Sequence, residues 1–250
     1  MTEGRPSEET AASERFQRDP VARRSRSQSA KEWLKSVAIA LVIWFFVRSL
    51  LVEAFRIPSG SMENTLLIGD FLFVNKALYG AEVPLVHARL PAFREPERFD
   101  IVVFDSPEDA SVKVVKRVVG MPGDTLSMIG NVLHVDGRAI EEPYVVHASA
   151  YDPEDPRMRE WQLPHLVGRD RASYWPTLKN WGPIVVPADS FFVMGDNRDN
   201  SLDSRYWGFL GRDRISGRPL FIYYSFDKGR ATPLPFLTGV RWGRLFSTPD

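Results

Sequence analysis

The chain has 250 residues with 32 basic and 32 acidic side chains, so it carries no net charge, and no basic run is interleaved with aromatics; a nucleic-acid partner is not expected. It has no cysteine, which excludes disulfides and thiolate metal sites, and its four histidines (His87, His134, His147 and His165) lack the spacing of a metal-binding motif, so neither metal nor cofactor is expected. The length allows one large domain or two small ones with a real core.

Residues 1–32 are polar and rich in Ser, Glu and Arg, with too little apolar surface to fold, which predicts a disordered segment. Residues 33–55, WLKSVAIALVIWFFVRSLLVEAF, form the apolar peak and are read as a single transmembrane anchor. The uninterrupted run Val37–Val47 is short for a span, but Leu50, Leu51, Val52, Ala54 and Phe55 extend it. Lys35 and Arg48 have stems long enough to reach the headgroups, and Trp33, Trp44, Phe45 and Phe46 suit an interface. A cleavable leader fits poorly, because the polar stretch before the peak is too long and no small-x-small site follows it. Arg23, Arg24, Arg26, Lys31 and Lys35 precede the peak, whereas only Arg48 and Arg56, with Glu53, lie at its other end. The positive-inside rule then puts the N-terminus in the cytoplasm and residues 57–250 outside it.

Strands are predicted at 70–78, 99–107, 112–120, 190–195 and 219–226, from apolar and β-branched runs bounded by turn formers. Gly130-Asn131 between LSMI and VLHV reads as a tight hairpin, and Asp136-Gly137 as a second turn. The fold class is therefore mainly β: an antiparallel β-sheet core over 56–145 and 188–250. Residues 146–187, rich in Pro, Asp, Arg and Trp, read as a smaller inserted lobe.

Three stretches carry candidate chemistry. In RIPSGSMENTL (56–66), either Ser59 or Ser61 is a candidate nucleophile, and no histidine lies close by in sequence to activate it. A lysine desolvated by apolar neighbours can replace histidine as the base, and Lys116 lies among Val112, Val114, Val115, Val118 and Val119. The next residue, Arg117, points to the opposite face of its strand. GDNRDNSLDSRYWG (195–208) reads either as a solvated turn or as a polar network in which Ser201 and Ser204 bond a lysine and Asp203 pairs with Arg205.

With RIPSGSMENTLLIGD, FDIVVF, VKRVVGMPGD and GDNRDNSLDSRYWGF in that order behind an apolar segment, the chain resembles the bacterial type I signal peptidases, membrane-bound serine proteases that remove signal peptides from exported proteins. The likeness runs over about 34–226. It implies Ser61 as nucleophile, Lys116 as general base, and the Ser59 hydroxyl with the Ser61 amide as oxyanion hole. Ser201, Asp203 and Arg205 would support the dyad. Ile57, Pro58, Met62, Leu66, Val103, Val114 and Val115 would line shallow substrate pockets for small residues. Gly60 would allow a close approach of the chain to substrate and a turn that a side chain would hinder. The resemblance also implies preprotein signal peptides and a lipid bilayer as partners and the bacterial cytoplasmic membrane as location. The chain departs from the family in having Asn64 where Pro is usual, and in showing one apolar segment where many relatives have two. Ser225-Phe-Asp-Lys228 also fits the S-x-x-K pattern of penicillin-binding proteins, but S-D-N and K-T-G elements are missing. A self-cleaving repressor would need a DNA-binding N-terminal domain, and an inactive binding domain would be expected to have lost Ser61 or Lys116.

Overall fold

The computed structural model describes residues 26–83, 88–147, 149–229 and 234–249. Most of the segment expected to be disordered, 1–25, and His87 lie outside them. The chain divides into two compact units, 1–44 and 45–250.

The N-terminal helix α1 (Arg26–Phe46) starts seven residues before the expected anchor, runs 21 residues, and is followed by a π-helical turn (Val47–Leu51) and strand β1 (Val52–Arg56). Its large apolar side chains from Trp33 to Phe46 are exposed. At about 1.5 Å per residue that stretch reaches about 21 Å, short of the ~30 Å of a hydrocarbon core. No helix among the described residues is long and apolar enough to cross a membrane. The expected span over 33–55 is thus not one helix. Val52 to Phe55 leave it and pair as a strand, because β2 (Asp70–Asn75) offers their backbone a complete antiparallel ladder, from Val52 opposite Asn75 to Arg56 opposite Phe71.

The body is mainly β, and every ladder between its strands is antiparallel. Besides β1 and β2 it contains β3 (Ile101–Asp105), β4 (Lys113–Gly120), β5 (Thr125–Ile129), β6 (Val132–Val135), β7 (Arg138–Ala139), β8 (Trp181–Val185), β9 (Ser190–Met194), β10 (Leu210–Gly211) and β11 (Ile215–Ser225). A seven-stranded sheet has the order β1-β2-β11-β3-β4-β9-β10, and a four-stranded sheet the order β7-β6-β5-β8. Both predicted tight turns form: Gly130 and Asn131, and Asp136 and Gly137, have the paired positive φ angles of hairpin turns.

Residues 146–187, read as an inserted lobe, supply helix α2 (Pro156–Gln162) and β8. The helix starts where Asp155 caps the Arg157 amide and Pro156 takes the first turn, a start signal readable in the sequence. Met158, Leu166, Tyr174, Trp181 and Ile184 from this stretch share one apolar cluster with Val119, Leu126, Leu133, Phe192 and Met194 of the strands. A second cluster joins Ile57, Met62, Leu66, Leu72, Val74, Ile101, Val103, Val115 and Ile222, beneath the serine-containing loop.

The shared first cluster implies that the insertion and the strands unfold together. Met158 is fully buried, so Met158→Ala should cost about 2–5 kcal/mol and move a single urea transition followed by both far-UV and tryptophan signals. Two separated transitions would show that 146–187 folds as an independent body.

Candidate active site

The loop from Ile57 to Gly69 joins β1 to β2 and is closed at its base by the Ile57 amide on the Asp70 carbonyl and the Gly69 amide on the Ile57 carbonyl, 2.9 and 3.2 Å. A short turn inside it, with the Leu66 amide donating to the Met62 carbonyl at 2.7 Å, turns Met62 and Leu66 down into the second cluster and leaves Ser61 at its rim. β4 lies across from this loop. Its alternation sends Lys116 and Arg117 to opposite sides.

Lys116 Nζ lies 2.7 Å from Ser61 Oγ and donates to the Val115 carbonyl at 3.1 Å. Lys116 is 2 % exposed and Ser61 8 %. Burial pulls the Lys116 amine down to about 8; the Asp203 carboxylate acts against this shift and the Arg205 charge with it. When neutral, an amine so placed can accept the serine proton on its lone pair while an N–H still donates to the Val115 carbonyl; when charged it has only donors.

The polar surroundings are held by buried ion pairs. Arg205 grips Asp203 with two bonds of 2.8 Å, and Asp203 also accepts from the Gly195 amide at 3.0 Å. Burial alone would push the Asp203 carboxyl up; the Arg205 charge and hydrogen bonds outweigh it and hold the carboxyl below its usual range. On the other face of β4, Arg117 grips Asp196 at 2.8 and 2.9 Å, and Asp196 accepts from Thr65 Oγ1 at 2.5 Å. Arg198 grips Glu142 at 2.6 and 2.9 Å. These last two pairs escaped the sequence reading, because their partners lie 79 and 56 residues apart.

The expected residues fall into three groups. Ser59, Ser61, Lys116, Val114 and Ser201 line an open groove of about 600 Å³. Beside it Ile57, Pro58, Met62, Val114 and Val115 line a recess of about 20 Å³, together with Phe55, Ser59, Ser61 and Lys113. Leu66 and Val103, expected in the pocket walls, line neither space; both are fully buried in the core cluster that supports the loop. Ser201 makes no hydrogen bond to Lys116. Its Oγ is buried without a well-formed partner, although it lies close enough to Asp203 to help lower that carboxyl. Ser204 Oγ instead accepts from the Val193 amide at 3.0 Å. Ser225 donates to Asp70 at 2.6 Å, at the end of β11, so the S-x-x-K pattern forms no second site.

The glycine that the packing of the site itself requires is Gly195. A side-chain carbon at Gly60 would meet only ordinary contacts, the nearest 3.4 Å from Glu63 Oε2. One at Gly195 would lie 2.3 Å from Ser201 Oγ and 2.4 Å from the Ser61 carbonyl. The Asn197 amide donates to that same carbonyl at 3.1 Å, so the 195–205 turn packs directly on the serine's backbone.

A serine hydroxyl bonded to a buried amine beside a groove, on an antiparallel β scaffold, defines the class as a serine hydrolase. The comparisons narrow it. Residues 30–224 match the family described as "Signal peptidase, peptidase S26". The chain is 32% identical to the signal peptidase I of Buchnera aphidicola, over 89% of this chain and 84% of that one. It is 34% and 35% identical to those of Pseudomonas aeruginosa and Pseudomonas fluorescens, in each case over 84% of this chain and 78% of the relative. The chain belongs to the signal peptidase family and is a serine endopeptidase.

Asn64, where the resemblance leads one to expect Pro, has φ +86°, and its Nδ2 donates to the Tyr144 carbonyl at 3.2 Å. Pro is locked near −65° and cannot take this conformation, whereas Gly can. Asn64→Pro should therefore cost more than about 1 kcal/mol, and Asn64→Gly should cost less. Equal urea midpoints for the two variants and the wild type would mean that the loop does not need the left-handed turn.

Proposed function

We infer that the protein cleaves signal peptides from exported preproteins after small residues, in the pattern Ala-X-Ala, with Ser61 as nucleophile and neutral Lys116 as general base. The observation that carries this reading is the 2.7 Å contact between Lys116 Nζ and Ser61 Oγ in a buried, valine-rich setting. Neutral Lys116 takes the Oγ proton as Oγ attacks the scissile carbonyl. The Ser61 amide and the Ser59 hydroxyl, at the groove, stabilise the resulting oxyanion. The tetrahedral intermediate collapses to an acyl-enzyme as Lys116 returns the proton to the leaving amine. A water, deprotonated by the same lysine, then hydrolyses the ester. Asp203, Arg205 and Ser201 hold the surroundings of the amine.

The recess beside Ser61 supports the preference for small residues. The recess is narrow, about 20 Å³, and its walls are the apolar side chains of Phe55, Ile57, Met62, Val114 and Val115, a lining that suits a small apolar group such as the methyl of alanine. Work at a lipid bilayer is supported by exposed apolar surface: α1 from Trp33 to Phe46, and Leu234, Phe236, Leu237, Trp242 and Phe246 near the C-terminus. Anchoring in the bacterial cytoplasmic membrane, with the N-terminus inside and the catalytic domain outside, is supported by the arginines and lysines before the apolar peak.

The test is single-turnover cleavage of a preprotein ending its leader in Ala-X-Ala, in detergent, across pH. Because the charged lysine cannot accept a proton, the rate should be low below pH 8 and rise as the amine, at about 8, loses its proton. Ser61→Ala should abolish turnover, and Ser59→Ala should lower the rate by about 10²–10³ while still forming acyl-enzyme. Replacing all four histidines should leave the alkaline rise in place. A loss of that rise in the histidine-free protein, or acylation in Ser61→Ala, would falsify the assignment.

A further inference from the structure

We propose that Arg244, in the C-terminal segment, is a positioning residue for the nucleophile, so that residues 239–247 form a working part of the active site; this rests on the reading of Ser61 as nucleophile. The segment runs beside β11, beyond the two positions at which β3 pairs with that strand. The Arg241 amide donates to the Ser225 carbonyl at 2.9 Å, the Ile222 amide to the Ser247 carbonyl at 2.9 Å, and the Phe246 amide to the Ile222 carbonyl at 2.7 Å. This path carries two guanidinium groups to the back of the serine loop.

Their target is Asp70, which is fully buried at the loop's base. Arg244 Nη2 donates to Asp70 Oδ2 at 2.6 Å and its Nε to Oδ1 at 3.1 Å. Asp70 also accepts from Ser225 Oγ at 2.6 Å and from the Leu67 amide at 2.8 Å. Arg244 Nη2 reaches further, to the Thr65 carbonyl at 2.9 Å, and Arg241 Nη1 donates to the Ile68 carbonyl at 3.0 Å. Thr65 is thus held from two directions: its carbonyl by Arg244 and its hydroxyl by Asp196. It lies in the same turn as Met62, the neighbour of Ser61. Two separate ion pairs, one from the far end of the chain and one from beside the groove, therefore converge on one residue of the turn that sets the serine's height over Lys116.

A lysine at 244 keeps the charge but loses the fork that spans Asp70 and the Thr65 carbonyl. Arg244→Lys is expected to lower kcat by about 10- to 100-fold, because small displacements of a reacting group carry penalties of that order, while KM stays within about twofold, since the recess is untouched. Arg244→Ala should lose more, and guanidinium chloride far below unfolding concentrations should restore part of its kcat. Such a cation has access, because Arg244 and Thr65 line an open cavity of about 500 Å³. Hydrogen exchange should quicken in 57–70 and stay unchanged in β5 and β6. If Arg244→Ala does not fold, Arg244→Lys decides by the same readouts. The proposal is overturned if kcat stays within twofold in a folded variant, or if exchange rises equally in both sheets. A wild-type chain without Ser61-dependent cleavage would sink the functional reading instead, and the exchange comparison would still decide whether Arg244 holds the loop.

Discussion

The structure depends on keeping one amine dry. Lysine in water holds its proton far above neutral pH, and the main means of lowering that affinity here is removal of solvent. Lys116 meets the requirement by lying on a strand whose neighbours are valines, against a loop whose own apolar residues are buried beneath it. A carboxylate bonded directly to the amine would undo the effect by stabilising its charge. The nearby carboxylates are instead each gripped by an arginine: Asp203 by Arg205, and Asp196 by Arg117. Each pair is close to neutral as a unit, so the fields of Asp203 and Arg205 at the amine oppose each other and desolvation prevails.

Such pairs are weak evidence for stability, since burying two charges costs about what their attraction returns. Their value here is geometric. A forked arginine fixes distance and plane together, and the three forks at Asp203, Asp196 and Glu142 connect the 195–205 turn to itself, to β4 and to the segment after β7. Gly195 lets the turn press on the Ser61 carbonyl with no side chain between them. Asn197 Oδ1 is buried without a partner and the Ser201 hydroxyl has only the nearby Asp203 carboxylate, a cost that the apolar clusters have to offset.

The sequence was informative where local rules decide. The alternation of β4 separated Lys116 from Arg117, turn chemistry located both hairpins, and four ordered blocks located the serine, the lysine and the 195–205 turn. It was uninformative where distant partners decide. Val52, Ala54 and Phe55 continue the apolar peak, and only the ladder with β2 makes this stretch a strand. Leu66 and Val103 have the character of pocket walls, yet the fold assigns them to the support beneath. The 146–187 stretch lacks a clear period because its buried residues serve a core shared with strands elsewhere in the chain. Its one local signal, Asp155-Pro156, was there to be read.

Specificity and catalysis are coupled through β4. Val114 and Val115 precede Lys116 in sequence; they wall the recess and belong to the same valine-rich strand that buries the amine. Opening the recess to a larger side chain would thin that wall and admit water toward the amine, which would raise its proton affinity. A narrow recess and a lysine of lowered proton affinity are therefore two consequences of one apolar packing arrangement. On the proposed reading of Lys116 as base, a lysine that shares a strand with the pocket would tie a preference for small residues to its own desolvation, a constraint that a histidine base, whose proton affinity is already near neutral, would not carry.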